Sequence, residues 1–324
     1  MQALVVSEPN NHLISQLNWQ EIALSAPLND EIQIQTKAVG LNPVDYKTIE
    51  SGHSDWRFPH TIGLDIAGIV TAVGQDVTEY HLGDRVAGHA NLAKNGVFAM
   101  AANLPAAAIS KISTALTFER AAASLCAGLT AYQALFRKAN LSSASSTVLV
   151  QGGAGGVGTM AIQLARYAGK RVFTTVSPEK AEFAAQLQPD ALIDYRHEDV
   201  DQVIAELTHG NGVDIIINTA GDADRSLPQL AYNGQLICIQ NPPTTALTWP
   251  QALTYSKIDL GGVHRSGNLA QIRDLGQMTS ELLDLVAKNI VDPMISQILT
   301  PDQIPAGLTA IQNHQVLGKL VAKF

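Results

Sequence analysis

With 324 residues, 46% hydrophobic and 15% charged, the chain is long enough for two domains with separate cores and too apolar to be disordered. Lys and Arg number 21 against 29 Asp and Glu, a net charge of -8, which argues against a nucleic-acid or anionic-membrane surface. Two cysteines, Cys126 and Cys238, stand without paired spacing, so neither a disulfide framework nor a Cys-rich zinc site is expected, and a cytoplasmic location suits the chain.

The first residues lack a basic segment ahead of a long apolar run, and no signal peptide is expected. From residue 1 to about 105 the reading is short strands and Gly-rich turns. Residues 3–6 form an apolar strand, and residues 31–36 alternate as a half-buried one. Residues 66–73 are a longer strand broken by Gly68, which marks a bulge or a close backbone approach. Gly74, Gly83 and Gly88 punctuate the turns, and the pattern predicts a barrel-like β unit.

Thr117 reads as an N-cap with Glu119 in the first turn, opening a long helix to Arg137. The stretch 121–136 is the most membrane-like, yet it is short and interrupted by Ser124, Thr130 and Gln133; a buried helix explains it better than a span. A polar connector over 140–146 leads to the apolar strand 148–150. Strands at 171–176, 191–193, 213–218 and 234–239 then alternate with helices at 160–168, 179–187 and 200–207. That alternation predicts a parallel sheet with crossover helices. Residues 236–239 read as an apolar edge strand of this sheet, an invitation to pair with a second copy. A helix over 275–289 and a strand over 317–323 end the chain.

Between strand 148–150 and helix 160–168 stand Gly153, Gly155 and Gly158, spaced G-x-G-x-x-G, with Gly156 and Val157 inside the turn. A strand-to-helix position makes this motif informative. The first glycine permits a tight turn, the second lets backbone approach a pyrophosphate, and the third lets helix pack on strand. Free N–H groups and the positive end of the helix dipole favour the phosphates.

Several collinear pieces carry a resemblance over nearly the whole chain. They are Gly40-Leu41-Asn42-Pro43-Val44-Asp45-Tyr46-Lys47, the run 63–70, Val73-Gly74, Gly83-Asp84-Arg85-Val86, Gly128 to Tyr132, the turn 154–158 and Asp194-Tyr195-Arg196. Together these resemble the zinc-independent medium-chain dehydrogenases/reductases, the quinone oxidoreductase and enone reductase family. The resemblance implies an α/β fold: a GroES-like β-barrel catalytic domain of residues 1–120, completed by 264–324, and a Rossmann doubly wound parallel-sheet domain of residues 121–263. It also implies a homodimer. The zinc-dependent alcohol dehydrogenases carry a Cys where this chain has Pro43-Val44, and Gly-His-Glu where it has Gly63-Leu64-Asp65; their four-Cys lobe is absent. Leu64 cannot ligate, so no metal is expected.

The strand 171–176 ends without the carboxylate that holds both ribose hydroxyls in NAD-selective folds; Ser177 and Lys180 stand there instead, with Glu179 expected to turn away. A hydroxyl and an ammonium suit a 2′-phosphate, hence NADPH, although Lys180 also reads as a solvated first-turn lysine. Tyr195, Asn218, Gln240 and Thr130 are further candidate cofactor contacts; the segment 218–221 departs from the family's usual Asp-Ser or Asp-Thr. Without a metal, a quinone or an α,β-unsaturated carbonyl must be activated by hydrogen-bond donors. Lys47, Asn42 and Tyr46 lie on one predicted loop and can all donate, Lys47 being equally readable as a solvated cation. The expected function is NADPH-dependent hydride transfer to a quinone or enone. The alternatives are a reductase of other activated alkenes such as enoyl thioesters, or a non-catalytic NADPH-binding protein.

Overall fold

A computed structural model describes residues 1–142, 146–219, 221–244 and 252–324. Residues 143–145 of the polar connector, and Ala220 of the segment 218–221, lie outside the described residues. The chain divides into two units, one of Met1–Leu129, Gly261–Asn289 and Pro293–Phe324, the other of Thr130–Leu260 and Ile290–Asp292.

The first unit opens with β1 (Gln2–Val6), β2 (Asn18–Glu21) and β3 (Glu31–Gly40). Alternation buries Ile32, Ile34 and Thr36 on one face of β3, and the strand continues to Gly40 because residues 38–40 are buried as well. Next comes α1 (Pro43–Ser51), where a loop was expected. Pro43 and the β-branched Val44, Thr48 and Ile49 are modest helix formers, so propensity hides this helix. Burial of Tyr46 and Ile49 in the core decides for it, with Asp45 accepting the N–H of Asn42 at 2.8 Å. Then follow β4 (His60–Thr61), β5 (Asp65–Val73), β6 (Arg85–His89), β7 (Ala101–Pro105) and β8 (Ile109–Lys111). Gly68 does mark a close approach: a Cβ there would stand 2.0 Å from the Gln35 carbonyl oxygen, beside a register shift between β3 and β5.

α2 (Phe118–Gln133) starts under the expected cap, the Thr117 hydroxyl accepting the N–H of Arg120 at 3.2 Å. Its continuation, Ala134–Lys138, is a π-helical turn and not the α-helix expected to Arg137. The second unit then builds β9 (Thr147–Gln151), α3 (Gly156–Tyr167), β10 (Arg171–Val176), α4 (Ala181–Ala185), β11 (Ala191–Asp194), α5 (Val200–Leu207), β12 (Val213–Asn218), β13 (Leu230–Cys238) and β14 (Thr254–Lys257). The sheet order is β11-β10-β9-β12-β13-β14, with every pair parallel. This is the doubly wound arrangement, with the order reversing at β9. One expectation fails. Residues 236–238 lie in β13, between β12 and β14, so that edge belongs, among the described residues, to β14. The strand Thr-Tyr-Ser-Lys is too polar for a search for apolar runs to find.

The chain returns to the first unit with α6 (Gly262–Arg265), α7 (Leu269–Ala287), β15 (Ile295–Leu299), α8 (Ile304–Gln312) and β16 (Lys319–Lys323). β16 pairs antiparallel with β3 and parallel with β15. The resulting sheet runs β15-β16-β3-β5-β6-β8, with β7 also on β3. Both ends of the chain therefore share one sheet and one core, in which Leu4, Ile32, Ile66 and Phe98 meet Leu308, Leu320 and Ala322. Among the described residues no helix is long and apolar enough to cross a membrane.

Candidate functional site

The carboxyl edge of the parallel sheet gathers the candidate cofactor residues of the second unit. Gly153 follows β9, Ser177 follows β10, Tyr195 follows β11, Asn218 ends β12 and Gln240 follows β13. In open parallel sheets ligands bind at this edge, where the strand order reverses. The glycines divide the work differently from their spacing. The backbone in the left-handed region is Gly152, at φ 80°, one residue before the motif. Gly153 is small because a Cβ would stand 2.1 Å from the Thr174 hydroxyl on β10, and Gly158 because a Cβ there would stand 2.2 Å from the Gly152 carbonyl oxygen. At Gly155, by contrast, a Cβ would meet only the Gly152 carbonyl oxygen, at 3.5 Å, an ordinary contact. Gly155 is the N-cap of α3 and offers no side chain to the helix. The N–H groups of Gly156, Val157 and Gly158 therefore make no hydrogen bond among the described residues. A cradle open at Gly155 with three unbonded amides fits a pyrophosphate.

At the tip of β10, Ser177 is buried and begins the single 3₁₀ turn Pro178–Lys180, which shortens the helix expected over 179–187. Lys180 is half-buried, its N–H donates to the Ser177 carbonyl at 2.9 Å, and its ammonium makes no hydrogen bond or ion pair among the described residues. Tyr195 is half exposed, with the Arg196 guanidinium 6.0 Å from its ring centre. Glu179 does not turn away as expected. Its carboxylate meets Arg196 Nη1 at 2.6 Å. The Ser177 hydroxyl and its own backbone N–H, with Arg196, hold it below the usual carboxylate range.

Asn218 and Gln240 are placed differently from each other. Asn218 is buried, and its Nδ2 donates to Gln151 at 2.8 Å, Ser226 at 3.0 Å and the Asp222 carbonyl at 3.2 Å, while its Oδ1 accepts from Gly221. That carboxamide is spent on joining β9 to β12, so as a cofactor contact the side chain is corrected to a scaffold element. Gln240 is exposed at the same edge and donates to the Thr219 carbonyl at 3.1 Å. Thr130 is buried in α2.

In the first unit, Asn42, Tyr46 and Lys47 sit at the start of α1. Asn42 is 1% exposed. Its Nδ2 donates to Asp65 at 2.8 Å and its Oδ1 accepts from the Lys319 ammonium, which also donates to the Leu41 carbonyl at 2.9 Å. Asp65 in turn meets His89 Nδ1 at 2.9 Å and accepts the Cys126 N–H at 3.0 Å. Asn42 is thus corrected from a donor toward substrate to the centre of a buried polar network. Lys319 was missed, because nothing local separates it from other strand-end lysines. Asp45 lies beside this network with its carboxyl pushed up to about 8 by burial and by the charge of Asp65. Tyr46 has a buried ring and, among the described residues, no hydrogen bond for its hydroxyl, whose ionisation burial makes harder. Lys47 is exposed and unpaired among the described residues.

Leu64 packs in the core at 4% exposure, and Asp65 is consumed by three donors. Among the described residues no three His, Cys, Asp or Glu side chains converge as a metal-ligand set.

Comparison with known proteins matches residues 28–124 to the alcohol dehydrogenase GroES-like domain and residues 156–287 to the zinc-binding dehydrogenase family. A quinone oxidoreductase of Pseudomonas aeruginosa is 32% identical over 321 residues, 94% of each chain. The structure of an alcohol dehydrogenase superfamily protein from Novosphingobium aromaticivorans is similar with a TM-score of 0.90 and 28% identity, over 100% of this chain and 99% of that one. That of Escherichia coli quinone oxidoreductase complexed with NADPH is similar in fold, with a TM-score of 0.85 and 24% identity over 100% of both chains.

Proposed function

The chain belongs to the quinone oxidoreductase family of the medium-chain dehydrogenase/reductase superfamily, and on that footing we propose that it is an NADPH-dependent reductase of quinones or α,β-unsaturated carbonyls that works without zinc. The observation that carries the reading is the donor set of the first unit. At the positions where a zinc enzyme of this superfamily has ligands, the side chains are an aliphatic Leu64 and an Asp65 already satisfied by its neighbours. Activation of a carbonyl then falls to hydrogen bonds, and acceptors that are already electron-poor suit that chemistry best.

In this reading the amides of Gly156, Val157 and Gly158 bind the pyrophosphate, and Ser177 and Lys180 take the 2′-phosphate. NADPH bound there supplies hydride. Lys47 and Tyr46 act as donors, toward the oxygen that gains charge as hydride adds to carbon or toward the cofactor ribose. Asn42 holds the start of α1 in place. Support for NADPH over NADH comes from the residues at the tip of β10, two of which, Ser177 and Lys180, favour a phosphate. The small-molecule acceptor, the absence of a resident metal and a cytoplasmic location are parts of the same proposal.

The test is a panel of simple quinones, enones and enoyl thioesters, followed by loss of nicotinamide absorbance with NADPH and with NADH. Steady NADPH consumption with a quinone or enone, unchanged by chelator, is expected. Turnover of enoyl thioesters alone moves the substrate class. Tight NADPH binding without turnover of any acceptor overturns the enzymatic reading.

A further inference from the structure

Beyond the residues that would bind the cofactor, the tip of β10 holds a group of opposite sign. The Glu179 carboxylate sits on the Arg196 guanidinium at 2.6 Å, and the Ser177 hydroxyl helps hold its carboxyl below the usual carboxylate range. Two other carboxylates at this edge are engaged elsewhere: Asp194 with His197 Nδ1 at 2.6 Å and the Arg196 N–H at 3.0 Å, and Glu198 with the Asp194 N–H at 2.6 Å. The ammonium of Lys180, three residues beyond Ser177, has no partner among the described residues. A hydroxyl, a guanidinium and an ammonium are the donor set of a phosphate site, and a carboxylate of the protein already occupies the guanidinium.

Resting on the NADPH reading above, we propose that Glu179 is a stand-in anion for the 2′-phosphate of NADPH, and that cofactor binding displaces it from Arg196. A carboxylate brings one charge and two oxygens. The phosphate brings close to two charges and three acceptor oxygens, so it competes well for a bidentate guanidinium. The pair it displaces is exposed on both sides, 51% at Arg196 and 64% at Glu179, and an exposed pair resists little. NADH lacks the phosphate and leaves Glu179 where it is. Glu179 therefore acts as a specificity-determining residue of negative sign: it holds Arg196 at the tip of β10 in the free protein and weakens NADPH while leaving NADH unaffected. Arg196 becomes a phosphate ligand on its release.

The experiment measures dissociation constants of NADPH, NADH, 2′-AMP and 5′-AMP by calorimetry for the unmutated chain, Glu179→Gln, Arg196→Met and the double variant. Glu179→Gln is expected to tighten NADPH and 2′-AMP by roughly three- to ten-fold, the range of an exposed pair plus one removed like charge, with NADH and 5′-AMP unchanged. Arg196→Met is expected to weaken NADPH by about ten-fold or more, and in that background Glu179→Gln should lose most of its effect. Glu179→Gln weakening NADH would show that the carboxylate serves the ribose hydroxyls, and would overturn the inference. NADPH preferred by the unmutated chain but unaltered by Glu179→Gln overturns the stand-in alone. NADH bound more tightly than NADPH by the unmutated chain overturns the cofactor reading, and this inference with it.

Discussion

Asp45 has its carboxyl inside the protein at the start of α1, raised from 3.8 to about 8. Burial is the largest cause, followed by Asp65; the Asn42 N–H and Lys319 pull the other way. A carboxyl whose folded pKa is raised keeps its proton in the native state after the unfolded chain has lost it. Stability then falls as pH rises from about 4 to about 8. Two buried histidines act oppositely. His60 and His264 are lowered to about 4, chiefly by burial, so their contribution is lost as pH falls from 6.5 toward 4. At pH 6.5 both are still half-protonated in the unfolded chain and offset Asp45; only above about pH 7 do they become largely neutral in both states and leave Asp45 to dominate. Between pH 7 and 8 the unfolding free energy of the unmutated chain should drop by about 0.5–1 kcal/mol per pH unit, and Asp45→Asn should flatten the slope. Urea titrations at several pH values check this; equal slopes in both proteins would refute it. Two residues on, Lys47 is exposed and free to swing toward a ligand. Lys47→Ala should lower kcat with an enone by up to about 10²-fold, and less with a quinone, while NADPH affinity changes little if its role is toward substrate. Unaltered kcat and KM on the best acceptor would remove α1 from the chemistry.

At the scale of elements, α1 is pinned by strands far from it in sequence. Asp65 from β5 and Lys319 from β16 grip the two ends of the Asn42 carboxamide. Lys319 is 4% exposed and sits among two carboxyl groups, Asp45 and Asp65, so its ammonium offsets charge that has no water. Removing one partner of such a group strands the rest. Lys319→Met should cost about 3–5 kcal/mol in unfolding free energy, well above a typical surface substitution. A loss below about 1 kcal/mol in denaturant unfolding would mean that water reaches the network. In the turn after β9 close packing leaves no room for a side chain at Gly153 or Gly158, whereas a Cβ at Gly155 would meet only an ordinary contact.

At the scale of the whole molecule, the parallel sheet ends at β11 on one side and, among the described residues, at β14 on the other. Ile258 donates its N–H to the Cys238 carbonyl, so by alternation the N–H groups of Tyr255 and Lys257 point away from β13. Tyr255 is half exposed there. An unpaired edge of this kind invites a second copy. We expect a two-fold homodimer joined through β14, with a light-scattering mass near twice 34.5 kDa at micromolar concentration. Tyr255→Pro removes an outward donor and no ladder bond, so it should give single chains that remain folded. Single chains from the unmutated protein would rule the assembly out.

Sequence alone determined what depends on local periodicity. The parallel strands, the strand-to-helix glycine turn, the Thr117 cap and the close approach at Gly68 are all written in neighbouring residues, because period and turn chemistry act over a few positions. It also determined that Leu64 cannot be a ligand. Tertiary structure decided what depends on partners distant in the chain. Helix α1 forms against its own propensities because the core buries Tyr46 and Ile49. Asn42 and Asn218 point inward because their hydrogen-bond partners arrive from other strands, and an unsatisfied buried carboxamide would cost more than the contact a sequence assigns it. Glu179 faces Arg196 for a related reason: two charges that are 17 residues apart meet only once β10 and β11 lie side by side.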